Sequence, residues 1–445
     1  MLFTRDLRVR DQAALESAVR ECEHVLPAFV LDDSLIRGSS GTPNRLAFLL
    51  ASLHDLDSSL RARGARLIVA RGDVVGEAMR LVHEHDLTAI HMSADVTPYA
   101  RRRHERLARA CAGERVQLRT HPGVTVAAAG AITPAGGDHY RVFTPYWRAW
   151  SGLPRRAVAA APRRIAIAPG AHSSAIPALA SLTGRPPSAH VQAGGETQAR
   201  AQLERWLARG IPRYAELHDD LASEATSRLS AYLHFGCVSA NAVLARAERR
   251  GGAEGFARQI CWRDFHHQVL AARPDLPSSD YRSRGDRWRQ DAGAADAWRE
   301  GLTGYPIVDA GMRQLASEGF MHNRARLIVS SFLTKTLLLD WRLGAAHFAR
   351  LLVDADVANN VGNWQWVAGT GNDTRPNRLL NPIRQAHRFD PVGEYVRRHV
   401  PELSAVDGAG VHEPWRLGPS RGALRYPQRI VDHEAAAAEF RSGRA

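Results

Sequence analysis

The sequence predicts a chain of two folded parts: an α/β domain over 1–125, a long connector over 126–195, and an all-α domain over 196–445. Three observations carry this reading. Strand-like apolar segments alternate with amphipathic helical patterns in the first part. The second is rich in Ala, Gly, Pro and Ser, as in Ala127-Ala128-Ala129-Gly130 and Arg185-Pro186-Pro187-Ser188. The third keeps helical periodicity with few strand candidates. Aromatic weight follows the same division: none of the ten tryptophans precedes Trp147, and eight lie from Trp206 onward.

In order along the chain, strands are expected at 1–4, 25–31, 66–70, 89–92 and 116–121, with a helix over 43–63 among those between them, giving a parallel sheet. The first strand is short for one that feeds a helix, so either the domain begins upstream or the sheet is weak there. Within the connector an aromatic island at 140–150 is expected to dock on a domain. Helices are then expected at 199–208, 239–249, 256–272 and 323–339.

Composition narrows the function. At 445 residues, 44% hydrophobic and 24% charged, the chain can bury substantial cores. No stretch approaches ~20 consecutive apolar residues, and charge follows immediately in Met1-Leu2-Phe3-Thr4-Arg5-Asp6, so neither a membrane span nor a secretion signal is expected. The expected location is the cytoplasm. Cys22, Cys111, Cys237 and Cys261 stand apart, which disfavours cysteine-bound metal or a disulfide framework. A net charge of +13 favours an anionic partner such as nucleic acid. Lys335 is the only lysine, so a phosphate-binding Gly-Lys loop and a pyridoxal Schiff base are excluded; arginine supplies bidentate phosphate contacts instead.

Four segments concentrate chemistry. The stretch 354–366 holds Asp354, Asp356, Asn359, Asn360, Asn363, Trp364 and Trp366, which suits a buried planar ligand whose polar edge needs donors and acceptors; a capped helix with surface carboxylates is the plainer alternative. Thr226-Ser227-Arg228-Leu229-Ser230 offers hydroxyls at a helix start. Gln259, Trp262, Arg263 and His266 share a helical face at i, i+3, i+4 and i+7, whereas adjacent His266 and His267 point apart and do not suggest metal. The fourth segment runs from Gly304-Tyr305-Pro306 to Met321-His322-Asn323-Arg324-Ala325-Arg326-Leu327.

Together, and with the opening Phe3-Thr4-Arg5-Asp6-Leu7-Arg8 matching a Phe-Arg-x-Asp-Leu-Arg start, these segments resemble the photolyase/cryptochrome family, and most of all its bacterial branch that repairs cyclobutane pyrimidine dimers. The resemblance implies a Rossmann-like antenna domain and a helical domain that binds FAD. It assigns Tyr214 and the residues Thr226, Ser227, Arg228, Leu229 and Ser230 to the flavin phosphates and ribitol, with Arg263 nearby. Arg326 and Asp354 would form an ion pair beside the flavin, Asp356 would meet its polar edge, and Asn360 would face its N5. Trp364, Trp341 and Trp288 fall where the family relays electrons from flavin to surface; spacing alone leaves each as core.

The implied partner is DNA containing pyrimidine dimers, and the implied reaction is light-driven splitting of a flipped-out dimer by excited FADH⁻. Trp262 and Trp366 would flank the lesion and Asn323 would contact both lesion and flavin. Arg324 and Arg378 are candidate phosphate clamps, with Arg375 and Arg388 secondary. The chain departs from the dimer-repair pattern at Gln259, where Glu is usual, and at Leu327, where Met is usual. Gln259 can bridge thymine O4 and N3–H but supplies neither proton nor charge. The (6-4) branch places His at the positions of Asn323 and Leu327, and no cysteine cluster matches the iron–sulfur branch. A blue-light photoreceptor of cryptochrome type is the alternative function, and a flavoprotein that binds DNA without repair is the third. A second antenna chromophore of deazaflavin or folate type is expected near Asn44-Arg45 and Asp95-Val96-Thr97-Pro98-Tyr99. A monomer is the family's default.

Overall fold

The structure is a computed structural model; it describes residues 1–443 except 39, 172–174, 224, 419–421 and 423. The first part is α/β, with strands β1 (Leu2–Phe3), β2 (Ala28–Asp32), β3 (Ile68–Gly72), β4 (Ala89–Ser93) and β5 (Gln117–His121). β1 pairs with β2 and β2 with β3, β4 pairs with β5, and every pairing is parallel. The strands form two sheets, β1-β2-β3 and β4-β5, with β4 lying near β1. β2 is buried throughout, as a central parallel strand must be, while β5 carries its polar side chains on an open edge. Around the strands run α1 (Ala13–Glu21), α2 (Asp33–Arg37), α3 (Pro43–Arg61), α4 (Val74–Glu84) and α5 (Pro98–Gly113). Pro43 and Pro98 open their helices where a missing N–H costs nothing.

The aromatic island forms α6 (Phe143–Ser151) and docks on the helical part through α11 (Glu254–Ala272). There the Trp150 indole donates to Asp264 at 2.9 Å, and the same carboxylate accepts from the Val126 and Ala127 amides. Burial pushes the Asp264 carboxyl above its ordinary range.

The helical part comprises α7 (Glu196–Arg209), α8 (Tyr214–Leu217), α9 (Ser230–Phe235), α10 (Ala240–Glu248), α11, α12 (Ala292–Glu300), α13 (Pro306–Glu318), α14 (Asn323–Ser331), α15 (Trp341–Leu351), α16 (Val357–Ala368), α17 (Pro382–Phe389), α18 (Glu394–His399) and α19 (His433–Ser442). One expected element is corrected. The helix foreseen over 323–339 stops at Ser331, continues as a π-turn over Phe332–Thr336, and ends with Leu338 in the left-handed region at φ 55°. Lys335 lies buried in that turn and donates to the Pro376 and Arg378 carbonyls at 2.9 and 2.6 Å. A widened turn there aims the ammonium at two carbonyls of a neighbouring loop, which a regular α-turn pattern in the sequence does not reveal.

Close helix approach shapes the centre of this part. At Gly362 on α16 an added Cβ would lie 2.2 Å from His266 Nδ1 on α11, so only glycine lets these helices meet. Among the described residues no helix is long and apolar enough to cross a membrane.

Candidate active site

A cavity of about 410 Å³ opens in the helical part, within the range of small-molecule and cofactor sites. Its wall gathers Tyr214 from α8, the 226–230 run leading into α9, one face of α11, the start of α14, and the segment from Asp354 into α16. Of the expected residues, Tyr214, Thr226, Ser227, Arg228, Leu229, Ser230, Gln259, Trp262, Arg263, Asn323, Arg326, Leu327, Asp354, Asp356 and Trp366 line it.

Polarity changes with depth. Arg263, His266, Asp354 and Asp356 are buried, whereas Gln259 and Asn323 are exposed at the mouth and Trp262, Leu327 and Trp366 are half-buried there. The interior thus holds charge away from water, and the mouth presents two indoles, two amides and an apolar side chain. The four α11 residues predicted to share a face, Gln259, Trp262, Arg263 and His266, all line the cavity.

Each deep group is held by identifiable partners. Arg326 donates from Nη2 to both Asp354 oxygens at 3.1 and 2.8 Å and from Nε to the Met321 carbonyl at 2.9 Å. Arg228, at φ 49°, pairs with Glu318 at 2.6 Å and lies over the Phe320 ring. Arg263 is buried and donates to the carbonyls of Val124 at 2.6 Å and Leu233 at 3.3 Å; burial lowers its pKa. Asp356 caps α16 by accepting from Asn359 N at 3.0 Å. Its other oxygen accepts from Arg5 Nη2, and His267 lies 3.3 Å away. Burial favours the neutral acid, yet His267, Arg5 and His234 hold the Asp356 carboxyl well below the usual carboxylate range. His266 is pushed down to about 4, chiefly by burial and then by His267, and so is neutral.

Several expected residues stand elsewhere. Asn360 is not among those lining the cavity. On α16, positions 359, 363 and 366 face it, while Asn360 turns toward α15 and donates to the Ala345 carbonyl at 3.0 Å. Trp364 turns the same way, against Gly344, with its ring 5.0 Å from Phe348 and 6.0 Å from Trp298 between centroids. Trp341, at the start of α15, is fully buried and donates to Asp280 at 2.9 Å. Trp288 is half-buried ahead of α12. Arg324 is not a free clamp: it pairs with Asp219 at 3.2 and 2.5 Å and packs over Phe389. Arg375, Arg378 and Arg388 are exposed. Asn44 donates to the Leu351 carbonyl at 2.8 Å and Arg45 to the Leu352 carbonyl at 3.2 Å; both therefore tie α3 to the end of α15.

Sequence reasoning missed contributors whose signal is tertiary. Phe143 stacks face to face on Trp262, with centroids 3.7 Å apart and planes at 3°. Trp298 abuts Trp364 from another helix. Arg5 and His234 meet Asp356. Only the aromatic island hinted at the first of these.

The hydroxyl run, the deep arginines and the carboxylate–amide wall fit a cofactor that combines phosphates with a planar heteroaromatic ring. Among the described residues no cluster of His, Cys, Asp and Glu suits a metal ion. Comparison with known proteins agrees with this donor set. The family model described as the FAD binding domain of DNA photolyase matches residues 256–443, and that described as DNA photolyase matches residues 1–163. The deoxyribodipyrimidine photo-lyase of Streptomyces griseus is 51% identical over 100% of this chain and 98% of its own length. The crystal structure of a bacterial class III photolyase from Agrobacterium tumefaciens superimposes with a TM-score of 0.92 at 34% identity, covering 99% of this chain and 95% of that one. A Synechocystis cryptochrome gives a TM-score of 0.92 at 26% identity, covering 99% of this chain and 98% of that one. With full-length identity of this order to a photo-lyase and both domain models matched, the chain belongs to the DNA photolyase family.

Proposed function

We propose that this protein repairs DNA by splitting cyclobutane pyrimidine dimers with light, and that it holds FAD in the cavity of its helical part. The observation that carries the reading is the division of that cavity: a charged, water-poor interior suited to the cofactor and a mouth built from Trp262, Trp366, Gln259, Asn323 and Leu327. Held there in its reduced form, FAD would supply light-driven one-electron transfer to the dimer, a redox-neutral splitting that needs no net oxidant.

The chain's own residues do the rest. Extruding a dimer from the duplex costs a few kcal/mol of unstacking, offset by stacking on Trp262 and Trp366. Gln259 and Asn323 hydrogen-bond the polar edges of the extruded bases. The Thr226, Ser227 and Ser230 hydroxyls, with Arg228, hold the cofactor's phosphates and ribitol, and Tyr214 packs against them. Arg326 and Asp354 neutralise one another beside the ring, so the pocket is polar without net repulsion toward a reduced, anionic flavin. Leu327 keeps the lesion side apolar, close to the volume of the more usual Met. Arg378, with Arg375 and Arg388, grips phosphates.

A photoreceptor reading shares the fold but gives no reason for two half-buried indoles at an open mouth. The cytoplasm as location, a monomeric state and a second chromophore in the α/β domain belong to this proposal. Competition binding tests it: purified protein should prefer oligothymidine carrying one dimer over undamaged oligothymidine by at least 10³-fold, while equal affinities would overturn it.

A further inference from the structure

We propose that Arg5 is a positioning residue of the cofactor pocket: from the end of β1 its guanidinium fixes the Asp356 carboxylate and the His234 ring in the wall of the cavity. The inference rests on the assignment of FAD to that cavity. Arg5 itself does not line it.

The geometry is a three-way fork. Arg5 Nη2 donates to Asp356 Oδ2, Nη1 to Asp95 Oδ2 at 3.2 Å, and Nε to the His234 carbonyl at 3.0 Å. Nη2 also lies 3.4 Å from His234 Nδ1. Two wall residues are thereby held by a side chain from the other domain. The link joins the segments that follow β1 and β4, which carry Arg5 and Asp95, to the N-cap of α16. Both carboxylates are almost fully buried, with side-chain exposures of 4% and 6%, so removing Arg5 leaves two buried anions without their shared cation.

Asp356 is faced by Arg5 beyond β1, His234 on α9, and His267 and Arg263 on α11, with Asp95 behind Arg5. Burial and then Arg5 push His234 down to about 4, and Asp95 and Asp356 outweigh burial to raise the Arg5 pKa. With Arg5 present, neither Asp356 nor His234 titrates between pH 5.5 and 8. Without it, the buried Asp356 carboxyl rises and His234 rises too, so protons enter the cluster as pH falls.

The test is FAD affinity of flavin-stripped protein, read by quenching of flavin fluorescence from pH 5.5 to 8. Wild type gives the reference affinity and pH profile. Arg5→Gln should bind at least 10-fold more weakly and lose more affinity than wild type as pH falls, while Arg5→Lys, which keeps the charge, should restore the wild-type profile. Glu196→Ala breaks a different tie between the two parts, to the Val9 and Arg10 amides, and should lower thermal stability without changing FAD affinity or its profile. If Arg5→Gln binds FAD within 2-fold of wild type with the same pH profile, the inference is wrong. If Glu196→Ala weakens FAD as much as Arg5→Gln does, Arg5 is only a strut between domains. Should Arg5→Gln fail to fold, a profile in Arg5→Lys that falls more steeply with pH than wild type overturns the inference by itself. Failure of wild type to bind FAD would instead refute the flavin assignment and this inference with it.

Discussion

Trp341 is expected from the family resemblance to affect the state of the cofactor without touching the substrate. Its indole is fully buried, anchored by Asp280, and one helical turn before the Gly344 that Trp364 covers. We expect Trp341→Phe to slow light-driven reduction of oxidised flavin by at least tenfold yet leave repair by pre-reduced enzyme nearly intact, measured by flavin absorbance and by recovery of thymine absorbance. Equal loss of both would mean that Trp341 is packing alone. At this scale much of the site was legible. Fifteen expected residues line the cavity because segments such as Thr226-Ser227-Arg228-Leu229-Ser230 and Met321-His322-Asn323-Arg324 carry their chemistry in consecutive positions. Arg5 was passed over because it occupies the unspecified place in Phe-Arg-x-Asp-Leu-Arg, and its partners lie 90 and 351 residues away. The Arg324 ion pair was hidden for a similar reason: Asp219 is 105 residues distant.

Helices set how finely those residues are placed. α6 presses Phe143 flat against one face of Trp262, leaving the other face for a base, so the indole is fixed before DNA arrives. Phe143→Leu should weaken binding to dimer-containing oligonucleotide by about 5–10-fold, leave undamaged DNA binding and FAD content unchanged, and raise the substrate concentration needed more than it lowers the limiting rate. Gly362→Ala would drive a Cβ to 2.2 Å from His266 Nδ1. Overpacking of this kind costs about 1–3 kcal/mol, and the variant should show a lower Tm and poorer FAD retention. Helix existence was readable from periodicity, as at 199–208 against the observed Glu196–Arg209. The π-turn at Phe332–Thr336 was not, because it arises from the Lys335 hydrogen bonds to a distant loop. The resemblance assigns Asn360 to the cofactor, whereas the packing of α16 on α15, which turns Asn359 rather than Asn360 toward the cavity, is not visible in the sequence.

For the whole molecule, charge and protonation are the relevant variables. The net charge of +13 makes DNA binding salt-dependent. Arg378→Ala should weaken binding to damaged and undamaged DNA alike and reduce the slope of log K against log salt by about one, whereas a loss confined to damaged DNA would mark Arg378 as a lesion contact. Buried histidines set the acid limit. His234, His266 and His322 are pushed down to about 4, mainly by burial, from 6.5 in the unfolded chain. They are neutral when folded, so between pH 6.5 and 4 the unfolded chain binds more protons and stability falls as pH falls. Each contributes on the order of 3 kcal/mol over that window, and three together reach the total stability of a typical domain. Urea unfolding should therefore show a stable plateau above pH 6.5 and steep loss below it; a flat response down to pH 4.5 would contradict the assignment of these histidines as buried and neutral.

The measurement that bears most directly on the function is repair itself. Purified protein, reduced and anaerobic, is mixed with dimer-containing oligothymidine and illuminated with blue or near-ultraviolet light while absorbance in the thymine band is followed. The account predicts recovery of that absorbance that requires both light and reduced flavin, with Gln259 serving in place of the usual Glu. No recovery from protein that holds reduced FAD and binds the dimer would contradict it.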